Sequence, residues 1–207
     1  MTEIREPVLM PVAVEDLRPT QLTVGRREVE IKRKAWRDRT KAKQREFLAR
    51  HMIPVIHGPR DRYYIIDHHH LALALHEEGV KDMLVTTYAD LSMLDGTVFW
   101  ATMDARNWVH PFDGKGKRRD YKAIPKHLRD MIDDPFRSLA GELHRIGGFA
   151  KETEPFSEFQ WADFLRRRVK PALLEKEFTH ALEKALALAK SQDAIYLPGW
   201  CGPSPED

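Results

Sequence analysis

The sequence predicts an α+β protein, a small mixed sheet with helices followed by a mainly helical C-terminal half. Three observations lead there. The runs from Ile53 to His57, Arg62 to Ile66 and Met83 to Thr87 are short, β-branched or aromatic, and have strand character. Between the second and third lies Leu71-Ala-Leu-Ala-Leu75, an apolar helix-forming segment that closes on Gly79. From Pro125 onward the apolar residues recur at helical spacing.

Taken in order, residues 7 to 24 are rich in Pro and Val and lack helical period, so they read as extended segments and turns. Pro19 disfavours helix at Arg18. The densely charged segment from Gly25 to Arg45 starts one helix, and a second runs from about Lys41 to His51, burying Phe47 and Leu48. A turn at Gly58-Pro59 joins the first two strands, giving the order strand, turn, strand, helix, strand. Residues 95 to 125, with their Asp-Gly, Gly-Lys-Gly-Lys and Pro punctuation, read as an ordered, loop-rich insertion. Pro125 opens a helix to about Asp133. Asp134 reads as an N-cap with Pro135 in the first turn of a helix that ends at Gly147-Gly148. Trp161, Phe164, Leu165 and Val169 share one helical face, and Leu174, Phe178, Ala181, Leu182 and Ala185 share another. The tail from Leu197 is irregular. The expected organisation is a core over residues 1–95, then residues 96–207 as insertion and helices packed on it, or one domain overall.

Composition sets bounds on function. The chain has 207 residues, 42% apolar and 32% charged, enough for a real core. A net charge of +2 argues against a protein built mainly to coat nucleic acid, while leaving room for local basic patches. The single cysteine, Cys201, rules out a disulfide framework within the chain and fits a reducing compartment. There is no apolar run of membrane-spanning length and no signal-peptide core in the first residues, so the expectation is a cytoplasmic protein without a membrane partner.

The candidate chemistry centres on Asp67-His68-His69-His70, where a strand runs directly into a helix. Such a junction gathers polar side chains and backbone N–H groups at the positive end of the helix dipole. Neighbours on a helix point about 100° apart, so the three imidazoles cannot all ligate one metal ion. One or two of them facing a phosphate or moving a proton is one reading, metal ligation a second, and polar first-turn residues without catalytic duty a third. Gly25-Arg26-Arg27-Glu28-Val29-Glu30 offers arginines for an anion and carboxylates for a general base, or simply a solvated face. In Asp133-Asp134-Pro135-Phe136-Arg137-Ser138, capping accounts for Asp134 and Pro135 but not for Asp133 or Arg137. In Gly147-Gly148-Phe149-Ala150-Lys151 a C-cap needs only one glycine, and the second suggests a backbone approaching a ligand near Lys151.

The succession of His51-Met-Ile-Pro-Val-Ile56 and Tyr63-Tyr-Ile-Ile-Asp-His-His-His-Leu-Ala-Leu-Ala-Leu75 resembles the ParB/sulfiredoxin superfamily. Leu17-Arg-Pro-Thr-Gln-Leu-Thr-Val-Gly-Arg-Arg-Glu-Val29, Asp133-Asp-Pro-Phe-Arg-Ser138, Gly147-Gly-Phe-Ala-Lys151 and Glu158-Phe-Gln-Trp-Ala-Asp163 make it more similar to the ParB-like nuclease branch. The resemblance implies a ParB/sulfiredoxin fold with a nucleotide phosphate near the start of the Asp67 helix. Two departures narrow the choice. Sulfiredoxins carry a cysteine in the phosphate box, where this chain has histidines, and no recognition helix of a partitioning protein is evident after residue 95. The box ends His70-Leu71 where many relatives place an arginine, so the positive partner of a bound phosphate must come from elsewhere, with Arg26, Arg137 and Lys151 as candidates.

The reading is therefore a phosphoryl- or phosphodiester-transfer enzyme, first of all a nuclease. A nucleotide-dependent kinase of a free amino acid is the alternative, and a non-catalytic nucleotide or nucleic-acid binding module is a third class. Glu28, Glu30, His68 and His69 are the expected catalytic residues. Gly25, Arg26, Asp67, His70, Arg137, Ser138 and Lys151 are expected to hold the phosphate, with no dedicated metal ligands. Mg2+ and ATP or ADP are the implied cofactors, and a nucleotide or nucleic-acid phosphate the implied partner. Oligomeric state stays open.

Overall fold

The computed structural model describes residues 9–152 and 156–203. The start of the extended segment expected from residue 7 and the end of the irregular tail lie outside them. By internal contacts the chain divides into two compact units whose segments alternate along the sequence. The first takes the chain up to Leu22, Val29–Pro111 and Arg119–Met131, and the second takes Thr23–Glu28, Phe112–Arg118 and Ile132 onward. The sequence suggested a boundary near residue 95 or one domain overall.

The fold is α+β. The first unit is built on a four-stranded mixed sheet made of β1 (Leu9–Ala13), β3 (Ile53–Gly58), β4 (Arg62–Ile65) and β5 (Asp82–Asp90), in the order β1-β5-β3-β4. Neighbours β1 and β5 are antiparallel, as are β3 and β4, while β3 and β5 run parallel, with Ile53 opposite Val85. β4 is the edge strand on the far side of β3 from β5, so the chain returns across the sheet through a helix, α3 (His69–Glu77), and enters β5 parallel to β3. Its Ala72, Leu73, Ala74 and Leu75 are fully buried, as are Ile53, Val55, Ile56, Ile65 and Val85 of the sheet. Burial of this apolar set, at about 25 cal/mol per Å², holds the helix to the sheet.

Two helices lie between β1 and β3, namely α1 (Arg26–Arg37) and α2 (Lys41–Arg50). Both were expected, and Thr40 caps α2 by accepting the Lys43 N–H. The expected burial of Phe47 and Leu48 is not found: α2 has no buried residue. Phe47 is instead half-buried, edge-on to Trp36, stacked on His51 and under the Arg39 guanidinium. The segment expected to be loop-rich contains α4 (Gly96–Ala105). Asp95-Gly96 reads as a turn, but the Asp95 carboxylate accepts the N–H groups of Thr97 and Val98 and so caps a helix that buries Phe99 and Met103.

A helix from Pro125 to Asp133 is also not found. Ile124, Leu128 and Met131 are buried at helical spacing, but only Leu128–Asp130 forms a 3-10 turn. In the second unit β6 (Ile132–Asp133) pairs in parallel with β2 (Thr23–Val24), and that pairing extends the backbone. The expected N-cap is present, since Asp134 accepts the Phe136 N–H at the start of α5 (Pro135–Arg145). Then come α6 (Ser157–Arg166), α7 (Pro171–Lys176) and α8 (Phe178–Lys190), so the last expected helix is broken at Glu177. Leu139, Leu143, Trp161, Phe164, Leu165 and Ala181 form this unit's core. No helix among the described residues is long and apolar enough to cross a membrane.

Two predictions come from polar groups fixed by this fold. Asp134 is 1% exposed and takes a two-pronged contact from Arg166, at 3.1 and 2.8 Å. Burial alone would lower the Arg166 pKa, but hydrogen bonds and charge from Asp134, then Asp163, raise it above the ordinary guanidinium value. Replacing Asp134 by Ala removes the cap and strands a cation, and a urea midpoint should report a loss of about 3–5 kcal/mol. Asp134→Asn keeps an acceptor for the cap and should lose less. Asp90 sits at the end of β5, where its bonds to Ser92, then the nearby His57, hold its carboxyl below the ordinary 3.8. Asp90 therefore contributes stability that is present above the ordinary carboxylate range and lost as pH falls through its lowered value. Carboxyl chemical shifts followed by NMR should show Asp90 titrating last among the exposed aspartates on acidification.

Candidate functional site

In the first unit the strand-to-helix junction separates its three imidazoles by environment. His69 is 4% exposed, and its Nε2 lies 3.1 Å from the Thr20 backbone nitrogen. Because a backbone N–H can only donate, Nε2 is the acceptor and the ring is neutral with its proton on Nδ1. The Thr20 hydroxyl donates to the Ile65 carbonyl at 2.6 Å, completing the tie between the segment after β1, the end of β4 and the start of α3. His69 was expected among the catalytic groups, but its position makes it the bolt that fixes the helix.

His68 is the N-cap of α3 and lies in the left-handed region, at φ 65° and ψ 25°. That conformation costs a residue with a Cβ roughly 1–2 kcal/mol relative to its right-handed alternative. Its side chain is exposed and makes no capping hydrogen bond, so the role usually filled by Ser, Thr, Asp or Asn is not filled by this residue. Asp67, also exposed, turns its carboxylate on the His68 N–H at 2.6 Å. His70 is half-exposed in the first turn. Asp67, His68 and His70 thus surround the N-terminus of a nine-residue helix, where the dipole favours an anion. Among the described residues no three His, Cys, Asp or Glu side chains are grouped to hold a metal ion. A magnesium ion here would draw most of its ligands from phosphate oxygens and water.

Glu30 lies elsewhere in this unit. It accepts from Arg33 at 2.8 Å, and Arg33 in turn contacts Glu77 and Glu78 at the C-terminal end of α3. The Glu78 bond, set against burial and reinforced by Glu30 and Glu77, raises the Arg33 pKa above the ordinary guanidinium value. At 1.5 Å of rise per residue, that end of α3 is about 12 Å from the histidine box.

The second unit collects Gly25, Arg26, Glu28, Arg137 and Ser138. The Arg26 N–H donates to the Asp133 carboxylate at 2.9 Å and the Arg27 N–H to the Ser138 hydroxyl at 3.2 Å. These side chains cap α1 from a distant part of the sequence and account for Asp133 and Ser138. A Cβ on Gly25 would stand 2.7 Å from the Ser138 nitrogen, so only glycine permits the approach. Glu28 is ion-paired with Arg145 and packs against Gly141. Arg137 is 5% exposed, contacts Glu158 at 3.3 Å and lies 3.5 Å over the Phe159 ring. Lys151 is exposed. The second glycine of Gly147-Gly148 has a packing reason, because a Cβ there would sit 2.3 Å from a Leu143 methyl carbon.

The site residues missed from the sequence are Thr20 and Arg18. The Arg18 backbone pairs with β4, accepting from Ile65 at 2.8 Å, and its guanidinium donates to the Lys126 carbonyl. The Nε of Arg18 is buried without a hydrogen-bond partner. Arg18-Pro19-Thr20 is visible in the sequence as a break in helix, which gives no sign of its partners.

The two environments predict opposite outcomes for neighbouring histidines. His69→Ala leaves the Thr20 N–H buried and unpaired and opens a cavity, and denaturant unfolding should show a loss of about 2–4 kcal/mol. His68→Gly removes the Cβ from a left-handed position and should stay within about 1 kcal/mol of the parent.

A match to the family described as "Putative ParB-like nuclease" spans residues 10–167. Among solved structures, the chain is similar to protein Atu1540 from Agrobacterium tumefaciens, whose crystal structure superposes with a TM-score of 0.90 at 53% identity. The match covers 96% of this chain and 100% of that one. No curated protein matches the chain. The family match covers more than half of the sequence, including the histidine box and both motifs that meet in the second unit, and the chain belongs to the ParB-like nuclease family.

Proposed function

We propose that this protein catalyses phosphodiester cleavage, with the scissile phosphate held at the start of α3. One observation carries the reading: the N-cap is a left-handed, exposed histidine that does not cap its helix, anchored next to a buried histidine that locks the helix in place. Strain at a non-glycine position persists only where surrounding contacts over-determine it, and the inference runs from such an outlier to function.

In this reading the first-turn N–H groups of α3 receive the phosphate oxygens, and the dipole stabilises the charge that grows as the pentacovalent arrangement forms. Water attacks phosphorus, one of the two accessible imidazoles, His68 or His70, takes its proton, and the other protonates the oxygen that leaves as the P–O bond breaks. His69 is a positioning residue. Asp67 orients the His68 backbone. Arg18, whose guanidinium reaches Lys126 in the same unit, is the cation that the sequence box lacks. If a magnesium ion is bound, Asp67 is the carboxylate that would hold it, and it would supply positive charge to neutralise the phosphate. Glu28 and Glu30 are not assigned the base here, since Arg145 holds the first and the second lies toward the other end of α3.

The test uses the full chain with magnesium and three substrates: bis(4-nitrophenyl) phosphate, plasmid DNA, and ATP or ADP with free amino acids. Cleavage of the diesters should fall by about 10²–10⁴-fold in His68→Ala and His70→Ala while their melting temperatures hold. Product from ATP and amino acids alone would reassign the protein as a kinase. Binding without turnover, unchanged by His68→Ala, would make it a binding module.

A further inference from the structure

Residues 115–129 carry seven lysines and arginines against one acid, Asp120, in a chain whose remainder is net negative. The part of this run in the first unit, Arg119–Met131, has a second pattern. Arg119, Lys122, Lys126 and Arg129 recur every three or four residues and are all exposed. Tyr121, Ile124, Leu128 and Met131 recur at the same spacing, offset by two, and turn inward. Ile124, Leu128 and Met131 are buried, and Tyr121 stacks on Trp100 at 5.7 Å while its hydroxyl donates to Asp104 at 2.7 Å. The strip is therefore anchored along its length and presents cations along the other side.

Arg119–Met131 holds four cations and two acids and so keeps a net charge of +2. Asp120 accepts the Lys122 N–H at 2.8 Å, capping a turn, and Asp130 lies 3.9 Å from Arg129. A solvated charged face would not need a fixed backbone. This one is irregular in hydrogen bonding yet pinned by four side chains, with Pro125 stiffening its middle. The cations are spaced on the order of 6–12 Å apart for a backbone between 3-10 and extended. A flexible chain of closely spaced phosphates can place a charge beside each.

We propose that Arg119, Lys122, Lys126 and Arg129 form a track for the sugar–phosphate backbone of a nucleic acid strand. The proposal rests on the phosphodiester reading above and names its substrate class as a polynucleotide, not a free nucleotide. Lys126 ties the track to that site, because its carbonyl receives the Arg18 guanidinium and the turn at Leu128–Asp130 packs against α3.

The experiment measures anisotropy of a labelled single strand of about 16 nucleotides, once as DNA and once as RNA, with the full chain at several salt concentrations. A Lys122→Ala, Lys126→Ala, Arg129→Ala variant should bind at least tenfold more weakly at low salt. Its slope of log K against log salt should be shallower by about 2, the loss expected for three phosphate contacts to a single strand. All three side chains are exposed, so its melting temperature should match the parent, and a matching Gln variant guards against a local packing effect. Tighter binding of either strand supports the track and tells which polymer it takes. Equal affinity and slope in parent and variant, or no binding of either strand by the parent, overturns it. Turnover of bis(4-nitrophenyl) phosphate separates this result from the site: the triple variant should keep it, and His68→Ala should lose it while still binding the strand.

Discussion

The hydrogen bond from the Thr20 N–H to His69 Nε2 is the constraint around which the first unit is arranged. It is polar, buried, and made between a segment that follows β1 and a helix that follows β4. An apolar helix can slide on an apolar sheet at small cost, because packing energy is not directional. A buried backbone donor cannot be left unpaired without a penalty of roughly 1–3 kcal/mol, so this contact fixes one register of α3 against the sheet. Everything proposed for the helix start follows from that register. His68 is driven into a left-handed conformation, Asp67 turns to its amide, and His70 reaches the surface.

The second unit uses charge for the same purpose. Asp134 caps α5 and takes the Arg166 guanidinium, while Asp133 and Ser138, its neighbours on either side of the cap, close off the start of α1. A helix N-terminus can be an anion site or a structural joint, and the outcome is decided by whether side chains already occupy its donors. At α1 they do. Gly25 and Ser138 therefore look like ligand-binding residues in sequence and act as a tight contact in the structure.

What the sequence showed and what it hid follow from range. The strands at Ile53 and Arg62, the crossover helix and the Asp134-Pro135 cap were legible because their signals are local, in periodicity, turn residues and capping chemistry. The missing helix at Gly96 failed on an ambiguity, since Asp-Gly serves both a turn and an N-cap. β6 failed for a different reason: nothing in Ile132-Asp133 announces a partner as remote as Thr23-Val24. The site behaved the same way. The box Asp67 to His70 could be located from its residues, and the divergence of the imidazoles followed from helical geometry. Which histidine would be buried depended on Thr20, and three identical side chains in a row carry no mark that distinguishes them.

The alternation of the two units along the chain has a consequence for biosynthesis. A polypeptide emerging from the ribosome releases Thr23–Glu28 early, but the strand that pairs with β2 comes only with Ile132–Asp133. The sheet of the first unit is complete by β5, yet its Arg119–Met131 segment waits for the chain to pass through Phe112–Arg118 of the other unit. Neither unit can mature and leave the other behind as an independent bead. Long-range closure of this kind slows folding and keeps apolar surface open while it proceeds. Dissection into separately expressed units by one cut is ruled out for the same reason, because any single cut leaves at least one fragment holding part of both units.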